Sequence, residues 1–175
     1  MIGKKLLILS LCLLVFIGIG EASTLRLKED TLIHDIKFIR GTLVLFWDGK
    51  VRLAYLPQGQ EIQEIRCIGW VKFYESGQLQ NAYLFDSQKI QGAKLLKGSL
   101  IEFYESGRLK EVVPSENQTI QGIEVSKGWW VKFYESGEIK SAWSSKNQKI
   151  WIGTYWVGVP KGRQMLFDKK GILYK

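Results

Sequence analysis

The pentapeptide Phe-Tyr-Glu-Ser-Gly occurs three times without change, at 73–77, 103–107 and 133–137, a spacing of 30 residues. A fixed period of this size makes a chain a stack of one supersecondary unit, each copy burying its apolar face against its neighbours. Weaker copies flank the three: Phe46-Trp-Asp-Gly49, one residue shorter, and Phe167-Asp-Lys-Lys-Gly171. Thirteen residues beyond each of the first four turn glycines stands an isoleucine, Ile62, Ile90, Ile120 or Ile150, and a further glycine (Gly69, Gly98, Gly128, Gly162) precedes the next motif. The register runs back to Ile33 and Gly41, with Leu25 to Leu27 where Ala82 to Leu84 fall, and one four-residue insertion lies near Trp156–Pro160. Residues 23–175 therefore read as a single repeat domain turning at Gly49, Gly77, Gly107, Gly137 and Gly171, with no room for a separate catalytic domain.

Within each period the apolar residues alternate, which is the pattern of a half-buried strand. Val71/Phe73, Ile101/Phe103, Val131/Phe133, Val44/Phe46 and Met165/Phe167 share one face, the predicted core face. Glu-Ser-Gly then reverses the chain, with glycine where φ must be positive. A second strand carries Leu79, Leu109 or Ile139 and then Ala82, Val112 or Ala142; a polar loop leads to a third short strand around Ile90, Ile120 or Ile150. Nothing has helical period. The predicted fold is all-β, a repeat-built antiparallel β-meander of about five hairpin units, or alternatively a β-solenoid with three strands per turn, after an N-terminal signal helix.

Residues 1–22 read as a signal peptide: Lys4 and Lys5, an apolar run from Leu6 to Gly20, and small residues at −3 and −1 of a cut before Ser23. An uncleaved anchor over residues 6–20 is the alternative, but that run is short for a spanning helix. Cys12 lacks the small preceding residue that lipidation needs. The remaining 153 residues hold one cysteine, Cys67, and thus no internal disulfide. With 46% hydrophobic and 13% aromatic residues, the chain is far too apolar for disorder. Without residues 1–22 it carries 23 basic against 16 acidic residues, a net charge of +7. That favours anionic partners such as lipid head groups, acidic wall polymers or an acidic envelope protein; export argues against nucleic acid.

Catalytic chemistry is not expected. His34, the one histidine, occupies the slot of Gln63, Gln91 and Gln121 and reads as a polar strand residue. Cys67 falls at an apolar position and reads as a buried, inert thiol. One His and one Cys cannot make a His/Cys zinc set, and no cofactor is predicted. Glu75, Glu105 and Glu135 recur once per turn, as turn chemistry and solubility require. The face opposite the core reads differently: Leu43/Leu45/Trp47, Trp70/Lys72/Tyr74, Leu100/Glu102/Tyr104, Trp130/Lys132/Tyr134 and Gln164/Leu166/Asp168. Trp70, Lys72, Tyr74, Tyr104, Trp130, Lys132 and Tyr134 are the candidate binding residues. An open aromatic platform suits sugar rings, a partner's apolar ridge or a lipid interface; a face covered by third strands or loops would make the same rings a second small core.

The run Phe-Tyr-Glu-Ser-Gly-x-Leu/Ile resembles the core of MORN repeats, in particular the divergent bacterial type with Tyr-x-x-Gly-x-Leu. The resemblance covers 46–57, 73–84, 103–113, 133–143 and, more weakly, 167–174, with a period longer than that family's usual unit. It implies a scaffold or adaptor; together with the signal pattern of residues 1–22, the leading expectation is an exported, non-enzymatic binding or scaffolding surface in the cell envelope. A glycan- or cell-wall-binding module is the alternative, because Gly69-Trp-Val-Lys and Gly128-Trp-Trp-Val-Lys look like the Gly-Trp repeats of wall-binding proteins. A third reading is a structural protein whose edge strands pair with copies of itself.

Overall fold

The computed structural model describes residues 22–174, and all its regular elements are strands. The predicted signal peptide, residues 1–22, lies outside the described residues apart from Ala22. The chain begins with β1 (Ala22–Arg26), β2 (Thr31–Ile33), β3 (Ile36–Phe38), β4 (Leu43–Trp47), β5 (Lys50–Ile62) and β6 (Ile65–Phe73). Next come β7 (Leu79–Leu84), β8 (Gln88–Ile90), β9 (Ala93–Leu95), β10 (Leu100–Phe103), β11 (Leu109–Val113) and β12 (Gln118–Ile120). The last third holds β13 (Ile123–Val125), β14 (Val131–Phe133), β15 (Ile139–Trp143), β16 (Gln148–Trp151), β17 (Trp156–Val159) and β18 (Gln164–Leu166).

Ten of these form one sheet in the order β1-β4-β5-β6-β7-β10-β11-β14-β15-β18, and four two-stranded hairpins, β2-β3, β8-β9, β12-β13 and β16-β17, stand outside it. Every pairing is antiparallel. The large sheet is thus the meander of the two predicted architectures. It differs from the expectation in one respect: each period holds four strands, because the third reverses at once into a fourth. The reversal is a two-residue turn with both φ positive, at His34-Asp35, Gln63-Glu64, Gln91-Gly92 and Gln121-Gly122, the mirror-image turn whose twist matches a hairpin. His34 accordingly sits at a turn (φ 48°) and not within a strand.

The inward face of the sheet is the predicted one. Val44, Val71, Phe73, Ile101, Phe103, Val131, Phe133, Met165 and Phe167 are buried, and so are Leu79, Ala82, Leu109, Val112, Ile139 and Ala142. The hairpins supply the other side of the same core through Ile36, Phe38, Ala93, Leu95, Ile120, Val125, Ile150 and Val159. Between the first and second free hairpins, the outer halves of β5 and β6 take the hairpin's part, with Ile62 and Cys67 buried. Phe38 meets Phe73 edge to face at 6.2 Å across the layers.

Side chains make the joints. In the three identical motifs Tyr74, Tyr104 and Tyr134 open a type I turn closed by glycine at φ +85°, +80° and +108°, the three-residue loop ending in a left-handed residue. Their phenols donate to the main-chain carbonyls of Phe103 (2.7 Å), Phe133 (2.9 Å) and Phe167 (2.9 Å) in the next motif. The tip glutamines grip the turns: Gln63 donates to Gly77 O and accepts from Leu79 N, and Gln91 and Gln121 do the same at Gly107/Leu109 and Gly137/Ile139. Neighbouring hairpins are joined by a second glutamine set. Gln60, Gln88 and Gln148 each bond a main-chain N–H and a C=O of the preceding hairpin strand, replacing a backbone ladder with an amide.

Candidate functional site: the open sheet face and the β16–β17 tip

The hairpins cover only the core side, so among the described residues no layer lies over the opposite face of the large sheet. Cross-strand pairing builds an apolar row there: Leu43 opposite Tyr55, Tyr55 opposite Trp70, Ile68 opposite Tyr83, Tyr83 opposite Leu100, and Leu100 opposite Val113. Tyr55 and Trp70 meet edge to face at 5.2 Å, and Trp129 and Trp143 lie 4.6 Å apart at 35°. Trp70 is 44% and Trp130 38% exposed. Such ring pairs keep their shape while leaving faces free for a ligand.

A polar row runs beside the apolar one. Lys72 stands opposite Leu53 and Asn81, and the series continues through Glu102, Glu111, Lys132 and Ser141. Glu102 and Glu111 face each other directly, an arrangement of like charges that destabilises a sheet. Lys110 answers Glu102 at 2.7 Å and Lys132 answers Glu111 at 3.2 Å. The hydrogen bond from Lys110 to Glu102, ahead of the opposing effect of burial, holds that ammonium above its ordinary pKa. Lys132 is thereby engaged within the sheet, whereas Lys72 is exposed and makes no ion pair among the described residues.

The seven residues singled out from the sequence thus divide. Trp70, Lys72 and Trp130 project from the open face. Tyr74, Tyr104 and Tyr134 are half-buried, with hydroxyls committed to the next motif and lysines over two of the rings, Lys110 at Tyr104 (6.0 Å) and Lys140 at Tyr134 (5.6 Å). Burial raises the Tyr74 phenol above its usual pKa, with Lys110 opposing. Residues on the second strands belong to the same surface: Tyr55, Tyr83 and Trp143. Alternation about Ala54, Ala82 and Ala142 was the signal for them.

The insertion is the other departure from the pattern. It lies at the hairpin tip, between Trp151 and Trp156, and not at 156–160: Ile150 pairs with Val157, where Ile120 pairs with Ile123. Trp151 and Trp156 face each other across the lengthened hairpin at 5.4 Å and 56°, and are 48% and 61% exposed; Tyr155 is 61% exposed.

Of the residues with reactive side chains, Cys67 is fully buried and its Sγ donates to Ile65 O at 3.3 Å. Burial pushes the thiol up to about 12, far from a nucleophile's range. Glu75 is exposed and bonded by Lys50 at 3.0 Å, with Arg52 at 3.9 Å; the Lys50 hydrogen bond lowers its pKa. Glu135 accepts from Ser106 of the preceding turn. No group of three or more His, Cys, Asp or Glu gathers as metal ligands among the described residues.

No family model, no curated protein and no solved structure matches this chain.

Proposed function

We propose that this chain is an exported, MORN-like, non-enzymatic protein whose open sheet face is a binding or scaffolding surface in the cell envelope. The observation that carries the reading is the apolar row from Leu43 through Tyr55, Trp70, Tyr83 and Leu100 to Val113, lying over a sheet whose other face packs into the core, with Phe46 alone of the predicted core-face residues only partly buried. An exposed row of large apolar side chains rimmed by charge is the kind of surface that marks interaction sites. The Tyr and Gln joints support a scaffold by fixing the spacing of the rings along the sheet. Export is supported by the composition of residues 1–22 alone.

A glycan- or wall-binding module is the second reading, favoured by the partly stacked Trp129 and Trp143, whose tilt of 35° leaves Trp129 open to a sugar ring. The two readings separate in one assay: binding to purified cell-wall sacculi and to candidate envelope proteins at low and high salt, with Trp70→Ala and Trp130→Ala. Glycan binding falls with both substitutions and resists salt. A protein partner held through Lys72 and its neighbours falls with the substitutions and weakens with salt. If both substitutions leave every measured interaction intact, the sheet face is not the binding surface.

A further inference from the structure

The charge of this protein is segregated. Residues 22–138 hold fifteen Lys and Arg against fifteen Asp and Glu, whereas residues 139–175 hold eight against one. Among the described residues the basic surplus therefore falls within 139–174, seven Lys and Arg against one Asp, at the end of the sheet that carries the lengthened hairpin. Lys149, Lys161, Arg163, Lys169 and Lys170 are exposed there and make no ion pair among the described residues. The tip reaches the last turn: a side chain built on Gly153 would touch Ile172 Cδ1 at 4.0 Å, and Ile172 closes the turn that carries Lys169 and Lys170. On the outward side of the hairpin the Trp151–Trp156 pair is followed by Lys149 opposite Gly158; Ile150 and Val157 turn to the core side.

From this we infer a second site, distinct from the sheet face: the β16–β17 tip is a wedge that seats in the interface of an anionic lipid bilayer. Trp and Tyr have an apolar body and a polar edge and concentrate at the head-group level of membranes. Three such residues crowd one hairpin end, where the period elsewhere has a two-residue polar turn. The 56° angle between the Trp151 and Trp156 rings gives no flat platform for a sugar, but it does give a wedge. Lys169 and Lys170, in the turn the tip reaches, with Lys149 behind the ring pair, supply the attraction to anionic head groups that a short wedge needs to stay seated, about fivefold in affinity for each Lys or Arg near the surface. Lys161 and Arg163, at the base of the hairpin beside Asn147 and Ser144, add to the charge of this end at longer range.

All seven tryptophans lie beyond residue 46, so tryptophan emission comes from the folded region, and the tip variant in the same full chain controls for lipid contact made by residues 1–21. The test is quenching of that emission by brominated lipid in vesicles of phosphatidylcholine, with and without about one third phosphatidylglycerol, an anionic fraction chosen to give a strong surface potential. Quenching is expected on the anionic vesicles, at least fivefold weaker on the neutral ones, lost in Trp151→Ser/Trp156→Ser and retained in Trp70→Ala/Trp130→Ala. Lys169→Ala/Lys170→Ala should lower the apparent affinity tenfold or more. These side chains are exposed, and an inaccessible Cys67 thiol confirms that each variant is folded. Four results overturn the inference: no quenching on anionic vesicles, equal quenching on neutral ones, quenching that survives loss of the tip tryptophans, or a tip variant that changes the sedimentation of the lipid-free protein. The last would make the tip a contact between copies. None of these outcomes bears on the sheet face, whose failure is read separately from Trp70 and Trp130.

Discussion

The phenol of Tyr104 donates to the carbonyl of Phe133, 29 residues ahead, at 2.9 Å. The donor sits at the start of one tight turn and the acceptor at the end of the strand entering the next, so a single hydroxyl sets the distance between adjacent turns. Tyr74 and Tyr134 make the same bond to Phe103 and Phe167. In the last motif the position is Asp168, which instead accepts from Lys170 N and Ile172 N within its own turn.

Tyr104→Phe keeps the ring and removes the joint. It should cost about 1 kcal/mol, the net worth of a half-buried hydrogen bond, and lower the melting temperature by about 2–4 °C for a chain of this size. Urea unfolding of Tyr74→Phe, Tyr104→Phe and Tyr134→Phe should give three similar losses. A loss at only one would mean that the bonds are not equivalent joints.

The glutamines predict effects of opposite sign. Gln91 bonds Gly107 O at 2.8 Å and Leu109 N at 3.0 Å, and Gln91→Ala should destabilise by about 1–2 kcal/mol. Gln118 occupies the joint position of Gln88 and Gln148, yet both its amide atoms are buried without a hydrogen-bond partner. Replacing an unsatisfied buried amide by an apolar group of similar size should be neutral or stabilising. Equilibrium unfolding of Gln118→Leu beside Gln88→Leu is the check, and a comparable loss at both sites would refute it.

Cys67 provides a pH signature. Burial raises its pKa from 9.0 to about 12, so the folded state holds the thiol proton more tightly than the unfolded state does. The associated stability is complete below pH 9 and is lost as pH rises toward 12. Unfolding midpoints should therefore fall between pH 9 and 11, and Cys67→Ala should flatten that part of the profile. A thiol reagent at pH 8 should leave Cys67 unlabelled in the native protein and label it in urea, read at that residue by peptide mapping.

Gly59 is a close-approach glycine at the bulge of β5 between Leu56 and Gln60. A Cβ there would collide with the ring of Phe85, which is fixed between Arg66 at 5.2 Å and Lys97 at 5.9 Å. Gly59→Ala should cost about 1–3 kcal/mol by overpacking. In a Phe85→Ala background the same methyl should cost less than half as much, a coupling that a double-mutant cycle reads directly.

Much of this fold is legible in the sequence because alternation and period are local. Val71/Phe73 and their counterparts identify the buried face, and Glu-Ser-Gly identifies the turn. The fourth strand is not legible in the same way. Ala93–Leu95 and Ile123–Val125 have three residues each, and the turn before them places glutamine at φ 46° and 48°, a conformation that side chain rarely takes. The amide accepts that position because it reaches the next turn, 16 to 18 residues on, and no local pattern reveals a partner so distant. At the candidate site, Trp70 and Trp130 were visible in the first strand of their periods. Tyr55, Tyr83 and Trp143 were not, since they lie on second strands read only for their buried residues. The tip aromatics were hidden because an insertion in a periodic chain looks like a lapse of pattern until its register is known.

The Tyr joint makes length a matter of counting. Tyr74 and Tyr104 each find their carbonyl 29 residues ahead, so the two ends of a middle period present the same chemistry to their neighbours. A copy of thirty residues could be duplicated or excised between them and the cut ends would still match. The distance between the two terminal edges would then change in whole steps, as the span of a chain of identical links does.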